Sequence, residues 1–193
     1  MDTKIKTFYH GSKTEISDAY LQPRKNFNSV QDNVVSGAFV TSDEDYAKFF
    51  AINHCIGCGY TKKEGKKIYL ERLLDNIKPE FFVYSVYETS DNQFIHDRGS
   101  EYYSTKPIKI TECKKYDTAK EIEKLGYEIY VFDKPLKRKV DKESGNNFSV
   151  QAAAADAIKQ KKYHRVDISN MIKQQNTNVF QTMLQKLFHQ NSD

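Results

Sequence analysis

Short segments that either alternate apolar and polar residues or are rich in aromatic and aliphatic residues recur along the first two thirds of the chain, separated by Gly, Pro, Asn or Ser. Alternation, as at Ile5–Tyr9, and aromatic and aliphatic enrichment, as at Lys67–Leu73 and Phe81–Glu88, are both typical of β-strands. We interpret the polar, irregular residues 13–36 as a long, partly helical loop over a site, and residues 57–66 as an exposed basic turn. The pattern predicts strands at Ile5–Tyr9, Ala38–Thr41, Lys67–Leu73, Phe81–Glu88, Glu101–Ser104, Lys106–Lys114 and Tyr127–Phe132.

Two helical segments interrupt these strands. Ser42 is predicted to cap a helix over Asp43–Asn53, because its hydroxyl can accept from a free amide of the first turn. The spacing of Tyr46 and Phe50 puts both rings on one face of that helix. A second, short amphipathic helix is predicted over Thr118–Leu125, ended by a glycine.

The character of the chain changes after residue 133. Residues 134–139 form a basic linker, and residues 140–193 carry apolar residues at helical intervals in a Gln- and Asn-rich setting. We therefore predict an α+β main domain over residues 1–135 and a C-terminal helical extension over residues 136–193. The extension either docks a partner or covers the back of the core.

Composition narrows the class of protein. The chain has 193 residues, enough for one substantial domain with an appendage, and its net charge of +4 permits an acidic partner without requiring one. No apolar stretch has the length of a membrane span, and the N-terminus lacks the apolar core of a secretory signal. The expected location is the cytoplasm, or a target cell's cytosol reached by a Sec-independent route.

The three cysteines favour a reducing compartment. Cys55 and Cys58 follow His54 and together resemble half a zinc site. A second pair of ligands at fixed spacing is missing, because Cys113 lies far away in the sequence without a partner. We predict no metal and interpret the cysteines as ordinary thiols, with a redox or metal role for Cys55 and Cys58 left open.

Three short segments carry candidate chemistry: Tyr9–Ser12, Gly37–Thr41 and Ser100–Tyr103. Each has an ordinary structural interpretation alone: His10 as a turn histidine, Phe39 and Phe50 as core residues, Glu101 as a solvated carboxylate. The chain contains no Gly-x-Ser-x-Gly, Walker or Gly-x-Gly-x-x-Gly motif that would compete with them.

In this order the three segments resemble the motif blocks of the ADP-ribosyltransferases of the diphtheria toxin and poly(ADP-ribose) polymerase class. The resemblance implies two small antiparallel sheets packed as a split sandwich, with NAD as the substrate in the cleft between them. It also implies a catalytic role for Glu101, and NAD binding by His10, Gly11, Ser12, Phe39, Thr41 and Phe50.

The implied activity is transfer of ADP-ribose to a macromolecular acceptor, with nicotinamide released. Protein is the expected acceptor rather than nucleic acid, and mono-transfer by a toxin or effector is expected rather than chain building. The loop Ser90–Gly99 would contact the acceptor, where His96 or Arg98 could meet a phosphate or carboxylate. Two alternatives remain: an NAD glycohydrolase, and a non-catalytic nucleotide-binding or partner-binding module.

The chain departs from the family pattern at the aromatic positions. Phe39 lies where the family has tyrosine in Gly-x-Tyr-x-(Ala/Thr), and Phe50 lies where a second stacking tyrosine is expected. Phenylalanine keeps a face on which a pyridinium ring can stack but lacks the hydroxyl. Two residues before Glu101 stands Gly99, not Glu or Gln, which argues against the arginine-modifying branch of the family.

Overall fold

The structure is a computed structural model that describes residues 6–28, 33–136 and 148–177, the side chains of residues 26–28, 33–35, 148 and 149 excepted. Within these residues the chain is α+β, with mostly antiparallel sheets and four helices. The strands are β1 (Thr7–Ser12), β2 (Tyr20–Leu21), β3 (Arg24–Asn28), β4 (Asn33–Thr41), β5 (Gly57–Glu64), β6 (Lys67–Leu73), β7 (Glu80–Tyr87), β8 (Ile95–Arg98), β9 (Glu101–Ser104), β10 (Ile108–Asp117), β11 (Glu128–Phe132) and β12 (Tyr163–Val166). The helices are α1 (Glu44–Ile56), α2 (Thr118–Lys124), α3 (Phe148–Lys159) and α4, which covers residues 168–177 up to the end of the described chain.

The strands form a large and a small sheet. The large sheet has the order β2-β10-β7-β1-β4-β9-β8, all antiparallel, with β3 paired to β4 off this path. The small sheet has the order β12-β11-β6-β5, and its β11–β6 pair is parallel. Strands that are distant in sequence therefore meet in the middle of the large sheet, where β1, β4 and β9 lie side by side.

The main core joins the two sheets around α1. Ile52 and Ile56 of the helix are fully buried among apolar side chains from β6, β7 and β11. Lys48 lies one helical turn before Ile52, and its Nζ is 3.3 Å from Glu44 and 3.5 Å from Glu121 of α2. The Tyr116 hydroxyl of β10 donates to Glu44 over 2.8 Å. These contacts fix the position of α1 against the large sheet.

Several sequence predictions are confirmed and others are wrong. The predicted strands over residues 67–73 and 101–104 match β6 and β9 residue for residue. The loop predicted over residues 13–36 is wrong, because β2, β3 and the start of β4 lie there, and none of its described residues is helical. The basic turn predicted over residues 57–66 is also wrong, because β5 pairs with β6. The cap of α1 is Asp43 instead of Ser42, and the helix continues to Ile56.

The described part of the C-terminal segment contributes to the core. It contains α3 and α4 as predicted helices, but also β12, which pairs with β11, so the predicted strand over 127–132 is not the last. Ile168 and Ile172 join the main core, and Val150 and Ala154 pack with Phe132. These contacts agree with the alternative in which the extension covers the core, whereas the boundary at 135/136 stays a prediction.

Candidate active site

The three candidate segments lie on three neighbouring strands. Tyr9 of β1 is in register with Thr41 of β4, and Thr41 is in register with Glu101 of β9. Two strand spacings, about 10 Å, therefore separate the backbones of Tyr9 and Glu101. Although about 90 residues of sequence lie between the first and last segments, the fold brings all three together.

The sheet opens between β1 and β4 beside these residues. β1 pairs with β7 along Thr7–Ser12, but its register with β4 consists of the single pair Tyr9 and Thr41. The side chain of His10 bridges the opening, because its Nδ1 lies 2.8 Å from the carbonyl oxygen of Phe39. A carbonyl can only accept, so Nδ1 carries the hydrogen.

The electrostatics of His10 favour a neutral ring. Burial lowers the pKa of His10, and Arg24 acts in the same direction, against the opposite effect of the Phe39 carbonyl. A neutral imidazole with its hydrogen on Nδ1 has a lone pair on Nε2. His10 is thus a ready acceptor for a hydroxyl group of a ligand.

A cavity of about 310 Å³ lies beside His10. His10 and Ser12 line it from β1, Gly37 and Phe39 from β4, and Arg24 from β3. Because successive residues of a strand face opposite sides, His10 and Ser12 lie on the face of the sheet away from α1. The lining also includes the carboxylates of Glu15 and Asp18, so the cavity offers a cation, carboxylates and hydroxyl groups, a mixture that suits a polar ligand rich in hydroxyl groups.

Gly11 faces α1. A Cβ at this position would overlap the carbonyl oxygen of Ala47 and lie 3.1 Å from the Cβ of Ala51. The glycine is therefore required by the close approach of helix and strand. Contact between its backbone and NAD stays a prediction.

The hydroxyls of Ser12 and Thr41 are engaged within the protein. Ser12 Oγ donates to the Thr14 carbonyl over 2.8 Å, which shapes the turn after β1. Thr41 is buried, and its Oγ1 donates to Ser100 Oγ over 3.0 Å and accepts from the amide of Asp43 over 3.1 Å. Thr41 thereby ties β9 to the start of α1, and a direct contact of either hydroxyl with NAD stays a prediction.

The two phenylalanines sit on different elements beside the opening. Phe39 is half-buried and packs on Tyr103 of β9, with ring centroids 5.6 Å apart. Phe50 is half-buried on α1 and meets the edge of Tyr46 at 4.8 Å. Neither ring is sealed in the core, so each keeps some exposed surface on which a ligand ring could stack.

Each carboxylate oxygen of Glu101 accepts a hydrogen bond from a neighbouring side chain. The Glu101 side chain is 13% exposed. The Tyr46 hydroxyl donates to Oε1 over 2.7 Å, and Nε of Arg98 donates to Oε2 over 2.9 Å. Glu101 is therefore a fixed carboxylate within the sheet, which corrects its interpretation as a merely solvated residue.

Local sequence explains why Tyr46 reaches Glu101. Asp43 caps α1, accepting from the amides of Asp45 and Tyr46, which fixes the first helical turn beside the end of β4. Burial, followed by the hydrogen bond to Glu101, raises the pKa of Tyr46 to about 12. The hydroxyl is therefore protonated, and a donor, throughout the physiological range.

The segment before β9 is not the simple loop that the sequence suggested. Residues Ile95–Arg98 form β8, which pairs with β9 at the edge of the large sheet. Arg98 meets the carboxylate of Glu101, and this bond raises the pKa of Arg98. His96 makes a 3.0 Å contact from Nε2 to the Gly99 carbonyl. Their proposed contacts with an acceptor stay predictions.

The cysteines are free thiols. Burial raises the pKa of Cys55 to about 11, so this thiol is protonated and unreactive at neutral pH. Cys58 lies on β5 and accepts from Nε of Arg72 over 3.1 Å. Among the described residues, no group of three or more His, Cys, Asp or Glu side chains is arranged to hold a metal ion.

Sequence reasoning missed two groups of this site. The sequence predicts Tyr46 on the same helix face as Phe50, but it does not indicate the bond between Tyr46 and Glu101. Arg24 of β3 lies in the segment that the sequence predicted to be a loop. The position of Tyr46 one helical turn before Phe50 was the available sequence signal for Tyr46. Nothing in the sequence indicated Arg24.

No protein-family model, no curated protein and no solved structure matches the chain. In the described part of the chain, no helix is long and apolar enough to cross a membrane.

Proposed function

We propose that the chain transfers ADP-ribose from NAD to a macromolecular acceptor and that its two sheets form a split sandwich of the ADP-ribosyltransferase type. One observation carries the proposal: the three motif segments are adjacent on β1, β4 and β9, in the register Tyr9, Thr41, Glu101. Nothing in the spacing of these segments along the sequence required that adjacency. We further propose the mono-transferase activity of a toxin or effector.

Glu101 supplies the chemistry in this proposal. Cleavage of the bond between nicotinamide and C1′ of the ribose passes through an oxocarbenium-like transition state, as glycoside hydrolysis does. The bonding electron pair leaves with nicotinamide, which becomes neutral, and a carboxylate near the ribose stabilises the positive charge. The acceptor then bonds to C1′, and its proton passes to the Glu101 carboxylate. The fixed orientation of Glu101 supports this role, since such stabilisation depends on groups that need no rearrangement.

His10 and the aromatic rings bind the substrate. The free acceptor on Nε2 of His10 suits a ribose hydroxyl, and the neighbouring cavity of about 310 Å³ suits the adenosine end of NAD. The positively charged nicotinamide ring stacks on Phe39 and Phe50, an interaction worth up to about 2 kcal/mol when the cation is desolvated. The polar lining of the cavity and the partial exposure of both rings support this arrangement. It requires NAD to pass through the opening between β1 and β4, because His10 lies on the face of the sheet away from α1 and Glu101 on the face toward it.

The experiment is mass spectrometry of NAD after incubation with the purified chain, alone and with a cell lysate. The proposal predicts nicotinamide release and ADP-ribose attached to lysate macromolecules. Free ADP-ribose as the sole product, with and without lysate, would replace it with an NAD glycohydrolase. Unchanged NAD under both conditions would refute NAD cleavage and favour a non-catalytic module.

A further inference from the structure

Both oxygens of Glu101 are occupied, and their partners differ in how firmly they are held. Tyr46 lies on the first turn of α1, stacked on Phe49 at 5.9 Å and in edge contact with Phe50 at 4.8 Å. Arg98 is 54% exposed and precedes Gly99, whose φ of +51° marks a tight turn. Oε1 therefore accepts from Tyr46, whose ring is packed on α1, whereas Oε2 accepts from Arg98, which is exposed at the edge of the sheet.

We propose that Tyr46 is the positioning residue for Glu101. Its hydroxyl fixes the orientation of the carboxylate through Oε1, while Oε2 is the oxygen that meets the ligand. The inference rests on the proposed function, since it assigns Glu101 the role of the reacting carboxylate. Each carboxylate oxygen has two lone pairs, so Oε2 can accept from a ribose hydroxyl beside Arg98 or after the exposed guanidinium turns away.

This assignment also accounts for an unusual feature of the sequence. The aromatic positions of the motifs are Phe39 and Phe50, which lack hydroxyls. Tyr46 brings a phenolic donor to the same region from one helical turn before Phe50. The hydroxyl acts on the enzyme's carboxylate, so the two phenylalanines need only provide stacking faces.

A purely structural tie between α1 and β9 is the competing explanation, and the chain offers a matched control for it. Tyr116 makes the same kind of bond, with its hydroxyl 2.8 Å from Glu44 on the same helix. Tyr116 and Glu44 lie outside the residues assigned to NAD. Tyr46→Phe and Tyr116→Phe each remove one hydroxyl from a tyrosine–glutamate pair, so a structural role would give both variants the same phenotype.

The test measures nicotinamide release and NAD affinity in the full chain, with thermal melting as the check on folding. Tyr46→Phe is expected to lower kcat about 10-fold or more, the effect of losing a hydrogen bond to a charged group. NAD affinity should change less than about 2-fold, because Tyr46 contacts the carboxylate and not the ligand, so the effect falls on kcat. Tyr116→Phe should keep the wild-type kcat and NAD affinity.

A second measurement separates this inference from the proposed function. Carbon-13 NMR of the Glu101 carboxyl reports the environment of the carboxylate in the absence of NAD, and Tyr46→Phe should change its chemical shift and broaden its resonance while Tyr116→Phe leaves both unchanged. Wild-type kcat in an active, folded Tyr46→Phe variant would overturn the inference, as would an unchanged Glu101 resonance. If the wild type releases no nicotinamide, the proposed function fails, and the Glu101 resonance alone decides whether Tyr46 positions the carboxylate.

Discussion

Replacement of Gly11 by alanine tests whether the close approach of α1 to β1 builds the site. The added Cβ would overlap the carbonyl oxygen of Ala47. That oxygen belongs to the main chain of α1, so no side-chain rotation can make room for it. Helix and strand must move apart, and the helix carries Tyr46 and Phe50.

The expected loss of unfolding free energy depends on the Ala47 carbonyl oxygen, which the new Cβ would displace. Overpacking a well-packed interior costs about 1–3 kcal/mol, and we expect the upper end because a backbone atom is displaced. For a chain of this size each kcal/mol lowers Tm by about 2–4 °C, so Gly11→Ala should lower it by about 6–12 °C. Gly65→Ala is the control: among the described residues, no atom beyond its two chain neighbours lies within 4 Å of its new Cβ, and its positive φ of +58° costs about 1 kcal/mol.

Urea denaturation and thermal melting of the two variants measure the difference. Gly11→Ala should lose clearly more stability than Gly65→Ala, and it should weaken NAD binding as well, because it displaces the helix beside the opening. An unfolding midpoint for Gly11→Ala equal to that of the wild type would refute the close packing of α1 on β1.

Three further predictions concern the binding site, pH and the C-terminal segment. His10→Ala and Phe39→Ala should each weaken NAD binding by about 1–3 kcal/mol in calorimetry, while Phe39→Tyr is tolerated; unchanged affinity in both folded alanine variants would move the site elsewhere. Since burial lowers the pKa of His10, the unfolded chain binds its proton first as pH falls. The free energy of unfolding should therefore decrease below about pH 6.5. If urea melts of His10→Ala showed the same decrease of unfolding free energy with falling pH as the wild type, His10 would not be its cause. Ending the chain after Lys139 removes β12, Ile168 and Ile172 from the structure, so we expect aggregation and loss of cooperative melting; a soluble, active fragment would instead support a separable recruiting arm.

Strands rich in aromatic and aliphatic residues were predictable from local sequence. The segment Lys67–Leu73 contains three consecutive apolar residues and follows a glycine turn, and it forms β6 with the predicted bounds. β5 has the opposite properties, with two glycines and two lysines among its eight residues. β5 is a strand because its backbone pairs with β6, and such pairing outweighs a weak local preference for strand structure. The same reason applies to β3 and β12, whose polar sequences gain strand structure from β4 and β11.

The candidate residues of the site were predictable by motif, whereas their partners were not. His10, Phe39 and Glu101 occur in recognisable short segments. The bond between Tyr46 and Glu101 joins residues 55 positions apart, and it depends on the register of β4 with β9 and on the cap of α1 at Asp43. Such contacts follow from topology, which a local pattern does not encode.

The rate of nicotinamide release by Glu101→Gln measures whether Glu101 is the catalytic carboxylate. The glutamine keeps an oxygen that can accept from Tyr46, and the lost ion pair involves an exposed Arg98, so stability should change by less than about 1 kcal/mol. Loss of the transition-state charge interaction should lower the rate roughly 10²-fold or more with NAD affinity retained. Glu64→Gln, which breaks the ion pair with Lys62 on the small sheet, should release nicotinamide at the wild-type rate. Nicotinamide release by Glu101→Gln at the wild-type rate would contradict the assignment of Glu101 as the catalytic carboxylate.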